Sequence, residues 1–167
     1  MKKLSASKLS FMNQLSTKEG VIAALAIDQR GALRKMLAAS GFEGDTEQAI
    51  VDFKKLVSEE LTPFASSILL DPEFGLPASK VKDPEAGLLL AYEQTGYDAT
   101  EAGRFPDLIH DYSALRIKEN GGDAVKFLLY YDVDEDAAIN ERKKAFVERI
   151  GSECMAEEIP FYLELLS

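Results

Sequence analysis

The chain has a single cysteine, Cys154, a single histidine, His110, and no tryptophan. One cysteine closes no internal disulfide, and one histidine with one cysteine cannot assemble the usual zinc shell. A reducing compartment is therefore expected. Basic charge is also short: 19 Lys and Arg against 29 Asp and Glu leave a formal net charge of −10 over 167 residues. The positive surface of a general nucleic-acid or anionic-membrane binder is missing, so neither partner is expected. Long apolar runs are absent too. The longest, 21–27 and 125–131, extend over about seven residues, against the roughly 20 that span a bilayer. After a basic start, Lys8, Asn13, Gln14, Lys18 and Glu19 interrupt any export leader, and the expected location is the cytoplasm. What is present is ordinary globular material, 46% hydrophobic with 6 Pro and 11 Gly, in a length that suits one domain, residues 1–167.

The chain alternates apolar runs with helical patterns. Residues 21–28 read as a buried strand ending in Asp28, with Gln29, Arg30 and Gly31 as its turn. Residues 32–40 are helix formers. Asp45 then offers an N-cap to a second helix, whose rhythm of Ala49, Ile50, Phe53, Leu56, Val57 and Leu61 predicts one buried face, stopped at Pro63. A second run, 66–70, again ends in a carboxylate, Asp71. Residues 88–92 are a third strand, although Pro84 just before them equally opens a helix. A helical pattern over 106–120 closes at Gly121 and leads into the strongest strand, 124–131. A charged amphipathic helix over 135–150 and a final run, 161–166, complete about five βα units.

Apolar strands separated by helices imply a parallel α/β sheet. The first turn has no G-x-G-x-x-G, which weighs against a dinucleotide fold. Polar groups at strand ends instead suit the C-terminal face of a TIM (β/α)8 barrel, but that fold needs about 250 residues and eight strands. Five units do not close it.

Three residues stand out chemically. Lys126 shares a strand face with Ala124, Leu128 and Tyr130. It is either a strand-interior amine for Schiff-base or proton-transfer chemistry, or a strand-end lysine that snorkels to water. Glu164 sits similarly in the last strand, one inter-strand spacing of about 4.8 Å away if the two are neighbours, as a catalytic dyad or a structural ion pair. Asp28, beside the small Ala24 and Ala26, orients a substrate hydroxyl or a lysine, or else caps the next helix. Arg30 meets a phosphate or stays on the surface. Other patterns fail. Asp132, Asp134 and Asp136 begin like a calcium loop, but the sixth and twelfth positions are Ala137 and Lys143. His110 reads as a helix-surface residue, Cys154 as a buried thiol.

Longer strings carry more: Leu-Ala-Ile-Asp-Gln-Arg-Gly-Ala-Leu at 25–33, Val-Ser-Glu-Glu-Leu-Thr-Pro at 57–63, Ser-Ser-Ile-Leu-Leu-Asp-Pro-Glu-Phe-Gly-Leu-Pro at 66–77, Gly-Leu-Leu-Leu-Ala-Tyr-Glu at 87–93, Asp-Ala-Val-Lys-Phe-Leu-Leu-Tyr-Tyr at 123–131 and Arg-Ile-Gly-Ser-Glu-Cys at 149–154. In this order, end to end, the chain closely resembles the class I, Schiff-base tagatose 1,6-bisphosphate aldolases. The resemblance implies a (β/α)8 barrel of which this chain holds about the first five units. It implies reversible cleavage of the bisphosphate to dihydroxyacetone phosphate and glyceraldehyde 3-phosphate in lactose and galactose breakdown, with no metal and no cofactor. It assigns Lys126 as an active-site lysine other than the nucleophile, Glu164 as the proton-moving carboxylate, Asp28 as the first-strand aspartate, and Gln29 and Arg30 to substrate binding. The phosphorylated ketose is the expected partner, and a homo-oligomer is compatible with it. The family's nucleophilic lysine and main phosphate groups lie beyond the first five units, so 167 residues alone are expected to be inactive, as a fragment or as a chain completed by a partner. Two other readings stand beside it: a related aldolase for another phosphorylated or sulfonated ketose, and a non-catalytic metabolite-binding or interaction protein keeping a partial site.

Overall fold

A computed structural model describes residues 3–167. Helix α1 (Ala6–Gln14) precedes strand β1 (Ala24–Ala26). Then follow α2 (Gly31–Ala39), α3 (Thr46–Leu61), β2 (Ser67–Leu70), the short α4 (Leu76–Ser79), β3 (Gly87–Ala91), α5 (Ala114–Glu119), β4 (Ala124–Tyr130), α6 (Ala137–Ala156) and β5 (Phe161–Leu166). All pairings are parallel and the sheet order is β1-β2-β3-β4-β5. A doubly wound sheet reverses its order at a switch point, and this one does not. The five strands curl in one sense as a half-barrel.

The two faces of the sheet divide the side chains by the strand period of two. Ile68, Leu70, Leu88, Leu90, Val125, Phe127 and Leu129 face the helices and pack with Ile117, Ile150, Cys154 and Ile159 in the main core. Each such buried aliphatic side chain contributes about 1.5–3 kcal/mol. The other face holds a smaller cluster of Leu15, Leu89 and Ala124, backed by Leu69 and Tyr162. Leu15 follows α1, so this helix closes the N-terminal end of the strands: its carbonyl accepts from Ser66 Oγ at 2.8 Å. Gly87 admits that closure, since a Cβ there would lie 2.7 Å from the Gln14 carbonyl oxygen. With the N-terminal end plugged, open space remains at the C-terminal ends.

Helix α3 departs from the expected pattern. Asp45 caps it as predicted, accepting from the Glu47 and Gln48 amides. Yet the buried stripe is Ile50, Lys54 and Ser58, while Phe53, Leu56 and Leu61 are exposed. Counting only apolar residues rotates the face wrongly, because Lys54 is buried with its charge answered by Asp71. The expected helix over 106–120 also shrinks, to α5. Residues before it instead bridge back to β3's extension, Leu108 opposite Glu93, and Ser113 caps α5. His110 therefore lies in an exposed turn and not on a helix. Residues 87–91 form a strand, so Pro84 opens no helix there, and α6 continues to Ala156.

Candidate active site

The C-terminal ends of the strands converge on Lys126. Its Nζ lies 2.6 Å from Glu93 Oε1, 2.9 Å from Asp28 Oδ2 and 2.9 Å from Glu164 Oε2. The ammonium has three N–H bonds and meets three carboxylates. Each comes from a different strand: Asp28 follows β1 by two residues, Glu93 follows β3 by two, and Glu164 lies within β5, in register with Leu128 of β4. Lys126 itself is 3% exposed, so it does not snorkel to water. Asp28 does not cap the next helix either; the N-cap position of α2 is Arg30, with no side-chain cap, and the Asp28 carboxylate is turned to Lys126.

The electrostatics follow from this crowding. Burial alone pushes the Lys126 ammonium down, but Glu93 and then Asp28 outweigh it and hold its pKa above the ordinary lysine value. Glu93 is almost buried, and loss of water raises its pKa although Lys126 opposes the rise. Lys126 is thus a resident cation at neutral pH, unsuited to attack a carbonyl, which needs the neutral amine. Three carboxylates against one ammonium leave the node acidic, and the half-exposed Glu164 is its most open member.

Arg30 is buried, not on the surface. Its Nη2 donates to the Glu93 carbonyl at 2.8 Å and Nη1 lies 3.9 Å from Glu73 Oε2, which holds the turn after β1 against the segment after β3. Gln29 stays exposed at the rim. Asp28, Gln29, Arg30, Lys126 and Glu164 line one cavity of about 270 Å³ together with Glu93, so the five residues that the resemblance assigns to the site are brought together there. Asp71 is not. It turns behind the sheet, fully buried against Lys54, and its other oxygen accepts the Phe74 amide at 2.7 Å. Loss of water lowers the Lys54 pKa, with Asp71 opposing. The pair is a structural staple for the turn after β2.

Sequence reasoning missed Glu93, Tyr97, Arg104 and Tyr130, which complete the cavity wall. Glu93 carried a usable signal, since it closes the third apolar run as Asp28 closes the first. Tyr97 donates to the Leu128 carbonyl at 2.9 Å and meets Tyr130 edge to face at 6.2 Å, and burial raises its phenol pKa. Cys154 is a buried thiol as expected, pushed up to about 12 by burial. Among the described residues no group of three or more His, Cys, Asp or Glu is placed to hold a metal ion, and no helix is long and apolar enough to cross a membrane.

Known proteins share both the sequence and this architecture. A tagatose 1,6-diphosphate aldolase 2 of Enterococcus faecalis is 65% identical over 164 residues, 98% of this chain and 49% of its own length. Its namesake in Streptococcus pyogenes serotype M1 is 63% identical over 98% of this chain and 50% of its own. A tagatose 1,6-diphosphate aldolase of Streptococcus agalactiae serotype V is 60% identical over the same shares. The chain thus spans about half the length of the curated relatives it matches. Among solved structures, a Corynebacterium glutamicum protein superposes with a TM-score of 0.61 at 18% identity, covering 92% of this chain and 52% of that one. A Schiff base-forming fructose-1,6-bisphosphate aldolase superposes with a TM-score of 0.56 at 15% identity, covering 92% and 55%. At those identities the likeness concerns the fold alone. The model of the DeoC/LacD family aldolases matches residues 22–167, from the first strand through the last, and the chain belongs to that family.

Proposed function

We propose that residues 1–167 are the N-terminal portion of a single (β/α)8-barrel domain that cleaves tagatose 1,6-bisphosphate, reversibly, to dihydroxyacetone phosphate and glyceraldehyde 3-phosphate through a Schiff base. The observation that carries it is the Lys126 node: a permanently charged ammonium clamped by three carboxylates at the C-terminal mouth of a parallel sheet. Relatives of twice the length support the extent, and their names support the substrate.

In this reading the nucleophilic lysine comes from outside these residues, and this chain supplies the proton machinery. Lys126 binds Asp28 and Glu164 in place and, as a nearby cation, depresses the pKa of the incoming lysine so that its neutral form attacks the ketone. Glu164, half open to the cavity, takes and returns protons as the carbinolamine loses water. It then accepts the hydroxyl proton as the C3–C4 bond breaks, while the iminium receives the electron pair. Asp28 orients the sugar hydroxyls, with Gln29 at the rim and Arg30 below. The exposed apolar side chains of β5, Leu163, Leu165 and Leu166, are where further strands would continue the sheet. The test is aldol cleavage of tagatose 1,6-bisphosphate by the native full-length protein, coupled to reduction of the released dihydroxyacetone phosphate. Turnover insensitive to EDTA is expected. No turnover on any ketose bisphosphate would turn the reading to a metabolite-binding protein.

A further inference from the structure

In the proposed reaction a second lysine enters the cavity that Lys126 already lines, so the site must decide which of two amines meets the ketone. The three carboxylates around Lys126 are not equivalent in that choice. Asp28 and Glu164 are 17% and 47% exposed, and water screens what they offer the ammonium. Glu93 is 6% exposed and makes the shortest contact of the three, 2.6 Å. Its second oxygen, Oε2, is buried without a partner. Buried polar atoms are almost always satisfied, so the compensation for this carboxylate passes through one N–H bond of Lys126.

The mount is held by backbone. The Tyr92 amide donates to the Lys126 carbonyl at 2.9 Å, which ties the end of β3 to β4 beside this pair. The Glu93 carbonyl accepts from Arg30, and Glu93 bridges back to Leu108. The charged and titratable groups around the pair are Asp28 and Arg30 after β1, Tyr97 and Arg104 after β3, Tyr130 of β4 and Glu164 of β5. Arg30 and Tyr97 give hydrogen bonds to backbone carbonyls, and Arg104 lies on the Tyr130 ring. Among the described residues only Lys126 pairs with the Glu93 carboxylate. Burial lowers the Lys126 pKa, and of the groups that more than reverse this Glu93 is the strongest.

We propose that Glu93 is a positioning residue that withholds Lys126 from the ketone, so that the imine forms only on the lysine supplied from outside residues 1–167. Imine formation from an ammonium requires one proton to leave to a base before nitrogen attacks the carbonyl carbon. A second follows in the carbinolamine, both depart with the ketone oxygen as water, and the third stays on the iminium nitrogen. Glu93 blocks the first of these steps, because its ion pair holds the ammonium from the side that water reaches least. Asp28 and Glu164, on the more open side, face the sugar. This deepens the aldolase reading and rests on it.

The test is reductive methylation of the native full-length protein with isotopic formaldehyde and cyanoborohydride at about pH 8. Peptide mapping reads the label at Lys126, at the exposed Lys144 and at Lys54, which is sealed behind the sheet. Formaldehyde is a small carbonyl that reacts with the neutral amine, whether or not the protein cleaves a sugar. Glu93→Gln is expected to raise labelling of Lys126, relative to Lys144, about 10- to 100-fold, the span of one charged hydrogen-bond partner. Lys54 should stay unlabelled, which separates a released ammonium from an opened fold. Unchanged labelling of Lys126 would overturn the role of Glu93 while leaving the aldolase reading standing, and so would an equal rise at Lys54. If the glutamine variant does not fold, Glu93→Asp decides, since its carboxylate stops one methylene short of Nζ. A rise of about 2- to 10-fold at Lys126 alone supports the role, and none overturns it. Should the wild type form no adduct with dihydroxyacetone phosphate and borohydride, the aldolase reading falls, and the formaldehyde labelling still decides what Glu93 does to Lys126.

Discussion

Replacing Lys126 by Met keeps the length of the side chain and removes the charge that three carboxylates share. Removing one partner of a buried ion pair costs about 3–5 kcal/mol. Here the burden falls unequally: Glu164 is 47% exposed and Asp28 17%, so water takes over much of their solvation, whereas Glu93 at 6% has none. The expected loss is therefore near the lower end, about 3 kcal/mol, or roughly 6–12 °C in Tm for a protein of this size or somewhat larger. Its pH dependence follows from Glu93, whose pKa already stands above the ordinary value and rises further without the ammonium. A raised carboxylate contributes stability that is present below its unfolded value of about 4.5 and is lost as pH climbs through the folded one. The deficit should consequently be smaller at pH 5 than at pH 8, and adding Glu93→Gln should restore much of it. Urea unfolding at the two pH values, with the double-mutant cycle, measures both. A loss under about 1 kcal/mol, or one equal at both pH values and indifferent to Glu93→Gln, would refute a tightly coupled node.

Three further outcomes are expected. Glu164→Gln should lower kcat about 10²- to 10⁴-fold with little effect on Tm, since the side chain is half exposed; steady-state kinetics beside thermal melts would show it, and near-normal kcat would remove Glu164 from proton transfer. Lys54→Met should destabilise by about 3–5 kcal/mol by stranding buried Asp71, and adding Asp71→Asn should recover part, because the pair is sealed behind the sheet; additive losses in denaturant titration would contradict this. Cys154, buried and with its thiol pushed up to about 12, should resist a thiol reagent at pH 8 in the native protein and react at once in urea.

Much of the fold was legible because strands in a parallel sheet are continuous apolar runs, and each of the first two closed on a carboxylate. That pattern located all five strands and brought Lys126 and Glu164 onto neighbouring ones, where the register confirms them. What stayed hidden depends on contacts distant in sequence. Lys54 was not among the residues expected on the buried face of α3, and only Asp71, arriving 17 residues later, makes its burial tolerable. Arg104 lies in a segment with no periodicity, and its position is set by Tyr130 and Ile139 from β4 and α6. Arg30 seemed a surface residue because its partner is a backbone carbonyl, that of Glu93, which no residue pattern records.

The central claim is that Lys126 is a resident cation and the amine that attacks the ketone lies elsewhere. Borohydride reduction of the native full-length enzyme in the presence of dihydroxyacetone phosphate, followed by peptide mapping, tests it most directly. The account predicts a stable adduct on a lysine outside residues 1–167 and none on Lys126. An adduct on Lys126 would contradict it.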